Sequence, residues 1–289
     1  LQTDAYNVSG VPDPNGSGSL SGFTGRVFPK LSVNWRYPWV RTVGRSSQII
    51  EPMVTFVTAP NGSNPDRIPN EDSLAFEFDE TNLFDRDRFV GTDRVDGGTW
   101  VAYGFRTGAY GLGGGSATAL FGQSYRIRDD NTYPANAGLD SHFSDFVGRL
   151  LVTPTKYVDL LYKTRLDKDD FAARRTELSG QVGPRAFRAS VDYIFFDKTE
   201  EFPDREEVTF SVSSAVTDSW TVSASTRRDL TDNGGTLSYG ATITYNCDCM
   251  TLELQFARTF TRDRDVEPDK SVFLRINLKT LGEFASTIY

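Results

Sequence analysis

The sequence predicts an all-β protein whose strands form an antiparallel transmembrane β-barrel, and three observations predict it. Side-chain polarity alternates residue by residue, in segments of about ten to fourteen residues, almost without interruption from 94 to 281. Successive strand side chains point to opposite faces, so each such segment has one apolar and one polar surface. The connections alternate between short turns and longer charged loops, as in outer-membrane barrels, where short periplasmic turns face long outer loops. Finally, no stretch of about 18 apolar residues is present, so no helical span is encoded.

Taken in order, the strands are expected near 2–9, 22–37, 47–58, 94–108, 115–127, 143–154, 157–168, 170–182, 184–197, 205–216, 218–230, 234–247, 249–262 and 269–281, roughly fourteen in all. Phe187, Ala189, Val191, Tyr193 and Phe195 oppose Arg188, Ser190 and Asp192. Leu237, Tyr239, Ala241, Ile243 and Tyr245 oppose Ser238, Gly240, Thr242 and Thr244. Leu252, Leu254 and Phe256 are set against Glu253, Gln255 and Arg258, and Val272, Leu274, Ile276 and Leu278 against Arg275, Asn277 and Lys279. About 9–11 tilted residues cross the hydrocarbon, so strands of this length can span it. Thr153-Pro154-Thr155, Gly183-Pro184, Thr217-Asp218 and Cys247-Asp248-Cys249 read as short turns, whereas 59–93, 128–142, 198–204 and 263–268 read as outer loops. By this parity the C-terminus is expected on the periplasmic side.

Composition agrees. Of 289 residues 38% are hydrophobic and 13% aromatic, with 25 glycines, which suits aromatic girdles and tight turns. A net charge of −8 argues against nucleic acid, because phosphate binding needs a basic surface. The start at Leu1-Gln2-Thr3 shows no signal peptide and already reads as strand, so the chain is taken as a piece whose N-terminal portion has been removed.

The segment 59–93 exceeds the usual loop length and marks a functional or disordered region. It carries Asp66, Glu71, Asp72, Glu77, Asp79, Glu80, Asp85 and Asp87 interleaved with Arg67, Arg86 and Arg88. The spacing fits no calcium loop, so a solvated, ion-paired loop is the better reading. Phe76, Phe78, Leu83, Phe84 and Phe89 within it predict a loop folded inward over the barrel. Catalytic and metal constellations are poor. The single histidine, His142, lies beside Ser141 in an outer loop, and two cysteines cannot make a Cys-rich zinc site. Gly111-Leu112-Gly113-Gly114-Gly115 has no helix after it and reads as a hairpin turn, not a phosphate cradle. Cys247 and Cys249 flank one residue at a periplasmic turn. As i and i+2 of an extended chain they are expected not to bond each other, which implies partners elsewhere or a pair of free thiols.

Several runs carry a family resemblance: Gln48-Ile49-Ile50-Glu51-Pro52, Ile68-Pro69-Asn70-Glu71-Asp72-Ser73, Glu77-Phe78-Asp79-Glu80-Thr81-Asn82-Leu83-Phe84, Arg88-Phe89-Val90-Gly91-Thr92-Asp93-Arg94-Val95-Asp96-Gly97-Gly98 and Gly122-Gln123-Ser124-Tyr125. Together with a cysteine pair before a last hairpin, they resemble the C-terminal barrel region of the LptD family, lipopolysaccharide-assembly proteins also called OstA or Imp. The resemblance implies that residues 1–289 are about the C-terminal half of a large barrel of about 26 strands, with 59–93 as a long extracellular loop and with the N-terminal strands and a periplasmic jelly roll absent.

It further implies a translocon of the outer membrane and not an enzyme, without cofactor, that passes lipopolysaccharide through a lateral opening between first and last strands. The implied partners are an LptE-like plug lipoprotein, lipopolysaccharide itself, and the periplasmic Lpt bridge through the absent N-terminal domain. On that analogy the final strand, Val272 to Lys279, is one lip of the gate, with Val272, Leu274, Ile276 and Leu278 facing lipid and Arg275, Asn277 and Lys279 facing the lumen. Cys247 and Cys249 would tie the barrel by disulfides to the upstream domain. In the family the two cysteines are adjacent, whereas here Asp248 separates them, which weakens the assignment of partners.

Two other classes compete. A porin or solute channel predicts a barrel complete in one chain, and the motif run 48–98 argues against it. A soluble carbohydrate-active enzyme with paired carboxylates needs an apolar core between layers, whereas 187–195 puts its large aromatics on one face only.

Overall fold

The computed structural model describes the chain except residues 14, 15, 17, 75, 129–131, 199–202, 233, 261–266, 280, 281 and 289, and the side chains of 112 and 282–288. The expected loops 128–142, 198–204 and 263–268, and the ends of the expected strands 249–262 and 269–281, lie partly outside the described residues. Among the described residues there are seventeen strands and no helix: β1 (Gln2–Pro12), β2 (Ser19–Phe28), β3 (Leu31–Arg36), β4 (Trp39–Val43), β5 (Ser46–Thr58), β6 (Thr99–Leu112), β7 (Gly115–Arg128), β8 (Phe146–Thr155), β9 (Val158–Leu166), β10 (Ala173–Val182), β11 (Arg188–Phe196), β12 (Arg205–Ala215), β13 (Trp220–Asp229), β14 (Thr236–Asn246), β15 (Met250–Thr259), β16 (Lys270–Leu278) and β17 (Gly282–Ile288).

From β5 to β17 every strand pairs antiparallel with its sequence neighbours, and the sheet is not closed: it runs from β17 at one edge to β3 and β4 at the other. Both β3 and β4 pair the same side of β5, Leu31–Arg36 against Thr58–Met53 and Trp39–Val43 against Ile50–Ser46. They are one edge strand broken at Tyr37-Pro38, since proline donates nothing to a ladder and is tolerated at such an edge. Counted so, the sheet has the roughly fourteen strands expected.

Three expectations are corrected. The single strand expected at 22–37 is divided at Pro29, for the same reason. Its first part, with the strand expected at 2–9, forms a separate two-stranded hairpin, β1–β2, outside the main sheet. Alternation identifies a strand but not the sheet it joins. The third concerns the last strand: β17 pairs β16 from Gly282↔Leu278 to Ile288↔Val272, so a further strand follows Val272–Lys279 and returns to the long-loop end, and the parity that put the C-terminus on the periplasmic side does not hold.

Register fixes the two faces. Ala241 lies opposite Phe256, Ile243 opposite Leu254, and Leu254 opposite Leu274, so the apolar sets line up on one face. On that outward face Tyr103, Phe105, Leu150, Leu160, Leu178, Phe210, Val222, Tyr239 and Phe256 are exposed, as lipid contact requires. Arg258 shares this outward parity with Phe256, not the polar face with Glu253 and Gln255. On the inner face Ser223, Thr242 and Gln255 follow one another across β13–β15.

Turns at one end are tight. Gly113 and Gly114, at φ 68° and 100°, close the hairpin between β6 and β7, a left-handed geometry that only glycine adopts without strain. The opposite end carries the long connections, including 59–98.

That long connection is folded inward, as its phenylalanines predict. Phe78 and Leu83 are fully buried with Val57, Trp100, Ala102, Leu139 and Val147, while Phe76, Phe84 and Tyr133 pack against them. Gly122 makes the contact possible: a Cβ there would meet Leu83 Cδ2 at 2.6 Å and the Tyr103 carbonyl at 2.7 Å. The hairpin β1–β2 is fastened to the same loop. Arg26 pairs with Asp4 and donates to the carbonyls of Thr92 and Asp93, and Phe28 packs with Ala59 and Val95.

Candidate functional site

The inner face of the sheet divides into two zones. Over β5–β10 it is covered by the long loop and held by buried charge. Arg88 is 2% exposed; its guanidinium lies 3.7 Å from the centre of the Trp100 ring and donates to Ser124 Oγ at 2.9 Å. Asp96, fully buried, accepts from Arg126 at 3.0 Å and lies 3.8 Å from Arg88. Burial pushes the Arg88 pKa down, although Asp96 partly offsets this. Burial likewise raises the Tyr133 phenol well above its ordinary range. An isolated buried charge is strongly unfavourable, so the carboxylate at 96 is what allows two arginines under the loop.

Next to this zone the loop carboxylates meet strand cations. Arg175 on β10 reaches Asp79 at 3.1 Å and Glu77 at 3.3 Å, and Lys163 on β9 reaches Glu80 at 3.4 Å. Burial raises the Glu77 pKa against the pull of Arg175 and Arg165. Burial would raise Asp79 too, but hydrogen bonds from Thr81 and the charge of Arg175 hold it low. The base of the loop is closed by Asp72, which accepts the backbone N–H groups of Thr92 at 2.7 Å and Asp93 at 3.0 Å. The Thr92 N–H is the main reason its pKa falls to about 2. Asp72, Glu77, Asp79 and Glu80 thus act as anchors, and among the described residues no group of three or more His, Cys, Asp or Glu gathers to hold a metal ion.

A pH effect follows at the second covering segment. Asp145, just before β8, lies 3.5 Å from Arg165. Burial raises its pKa to about 6 despite that arginine. The folded form therefore binds this proton more tightly than the unfolded chain does. Its contribution is present below the ordinary carboxylate value of about 3.9 and is lost as pH rises through about 6. Limited proteolysis within 132–145 is expected to be slower at pH 5 than at pH 7.5, and Asp145→Asn is expected to flatten that difference.

From β11 to β16 the inner face is open and mostly uncharged, with Ser190, Ser211, Ser223, Thr242 and Thr244 among its residues. Arg205 and Arg227 both bind Glu207 there. Arg275, expected as a lumen cation, does face inward but pairs with Glu253 at 4.0 Å across β15–β16. Asn277 shares that face. Lys279 lies beyond the end of β16, in the turn to β17, where its Nζ donates to the Cys247 carbonyl.

The cysteines occupy the neighbouring turn, between β14 and β15, and are free thiols. Their Sγ atoms are 2.9 Å apart. They are not bonded to each other, as expected, but the extended backbone assumed in that expectation would not bring them so close. Here Cys247 N–H donates to the Met250 carbonyl across a tight turn, which brings the side chains together. The Cys249 thiol lowers the Cys247 pKa, and the same contact raises that of Cys249. His142 is held to the Arg126 carbonyl at 2.9 Å and Ser141 donates to the Phe143 carbonyl, so the two form no nucleophile–base pair.

An antiparallel sheet with lipid-type side chains outside, a polar inner face and an inward-folded loop defines an outer-membrane β-barrel protein. The family model described as LPS transport system D, LptD, matches residues 1–220. This chain belongs to the LptD family, whose members are outer-membrane proteins. The LPS-assembly protein LptD of Hahella chejuensis is 29% identical over 249 residues, which cover 83% of this chain and 30% of that protein. That of Albidiferax ferrireducens is 29% identical over 156 residues, 51% of this chain and 19% of that protein. The chain therefore spans less than a third of either relative. A mutant of the Rh. blastica porin is similar in structure with a TM-score of 0.36 and 10% identity, covering 90% of this chain and 93% of that one. The turn cysteines and β16 lie beyond the residues that the family model matches.

Proposed function

We propose that this chain is part of an outer-membrane translocon that inserts lipopolysaccharide into the outer leaflet through a lateral opening at the β17 edge. Membership of the LptD family supports the substrate, and one structural observation supports the route: among the described residues β17 pairs with β16 alone, beside the open and largely uncharged inner face of β11–β16. Unpaired backbone groups are costly in hydrocarbon, so such an edge must pair, and a short pairing can part. The gate residues Val272, Leu274, Ile276 and Leu278 then form the lipid-facing back of the lip. Arg275 and Asn277 line its inner side, and β17 makes the contact. The open inner face is the place for an LptE-like plug lipoprotein, and the periplasmic Lpt bridge docks on the rest of the whole protein.

A photoreactive phenylalanine analogue at Asn277 of the full-length protein is expected to crosslink to lipopolysaccharide in cells, whereas one at outward Ile243 is not. A passive porin would give neither. Cys247 and Cys249 serve as a tether: each thiol bonds a cysteine upstream, the two electrons and two protons of each disulfide passing to the thiol oxidants of the periplasm. Non-reducing gels of the full-length protein are expected to show a mobility shift that Cys247→Ser plus Cys249→Ser removes. Unchanged mobility and assembly in that variant would refute the tether.

A further inference from the structure

We propose that the outward face of β14–β16, at the long-loop end, is a binding site for the phosphate-bearing headgroup of an outer-leaflet lipid. The register places Arg258 of β15 directly opposite Lys270 of β16 on one side and Tyr239 of β14 on the other. These side chains open on a shallow groove of about 450 Å³ whose apolar floor is Ala241, Phe256 and Val272. Arg258 sits 4.4 Å from the centre of the Phe260 ring, and Tyr239 meets the same ring edge-on at 5.5 Å. The groove therefore runs from acyl-compatible surface, through an aromatic layer, to two adjacent cations.

Charge argues for the occupant. The chain carries −8 overall, so two neighbouring cations on its lipid-facing side are a local exception. Among the described residues neither makes an ion pair, whereas Arg174, another cation near this rim, is held by Asp167 and Asp197. Cations on the lipid face of a barrel cost about 2–4 kcal/mol at the midplane and about 0–1 near the interface. Arg258, next to the last residue of β15, and Lys270, the first of β16, are at the interface. Headgroup phosphates lie at that depth, and a guanidinium beside an ammonium offers them a fork and a point charge together. Tyrosine and its aromatic neighbours anchor the same layer.

The site rests on the outer-membrane setting with the long loops outside, not on the delivery role. Native mass spectrometry of the detergent-purified full-length protein, with bisphosphorylated lipid A and with its dephosphorylated form, tests it. The phosphorylated lipid is expected to bind in preference and to weaken with salt. Arg258→Gln plus Lys270→Gln is expected to reduce its adducts roughly tenfold, the effect of losing charge-assisted donors. Lys270→Arg, which keeps the charge, and Arg149→Gln on the inner face are expected to retain them. Equal adducts in the double variant, or equal binding of the dephosphorylated lipid, would overturn the site. A correctly folded double variant that still delivers lipopolysaccharide in cells, but has lost the adducts, supports the site and separates it from transport.

Discussion

A cysteine in place of Ala285 on β17, oxidised to one on the facing first strand of the whole barrel, is expected to stop lipopolysaccharide delivery. Ladder hydrogen bonds contribute only about 0.5–1.5 kcal/mol each net, so a short seam can part and re-form, whereas a covalent bridge cannot. The same bridge placed between interior strands, with Ala224→Cys and Ala241→Cys directly opposite on β13 and β14, is expected to be harmless. Surface lipopolysaccharide labelling before and after reduction measures both. Normal delivery by a protein whose seam is verified as crosslinked would rule out the lateral opening.

The second large effect is expected at Asp96. Asp96→Asn keeps the shape but removes the carboxylate that Arg126 and Arg88 share at full burial. Breaking a buried pair by removing one partner costs about 3–5 kcal/mol, because the remaining charge stays desolvated. The long loop should then detach from Trp100 and Val147, and protease should cut within 76–98. Glu71→Gln, at an exposed position of the same loop, should leave cleavage unchanged. Equal resistance in Asp96→Asn would show that the apolar contacts of Phe78 and Leu83 hold the loop alone.

Much of the sheet was legible because alternation is a local property. Residues 187–195 and 237–245 show it in one reading, and the paired register bears them out. What was not legible depends on distance along the chain or on local geometry. The bond from Arg175 to Asp79 spans 96 residues, and nothing near either residue announces the other. The short β4 and β17 carry too little pattern to stand out beside prolines and polar residues. The cysteines are unbonded, as expected, but their close approach was not legible, because the argument assumed extended backbone while the chain turns sharply between Asn246 and Met250. Arg258 was placed on the wrong face by composition, since an arginine in a strand is read as polar-side until register is known. The loop's inward fold was legible, because five large apolar residues in a charged segment have nowhere else to go.

The anchors of the long loop stop at β10: its ion pairs reach Lys163 and Arg175, and its apolar contacts end at Val147 on β8. Among the described residues none of them crosses into β11–β17. Inheritance can therefore act on the two parts separately. A cassette from Arg188 to the C-terminus, grafted between relatives at the turn 183–187, should carry its edge and its cysteine turn with it while leaving the host's loop in place. Grafts cut inside β5–β10 would have to match a charge partner nearly a hundred residues away, so lineages should find that boundary far harder to recombine.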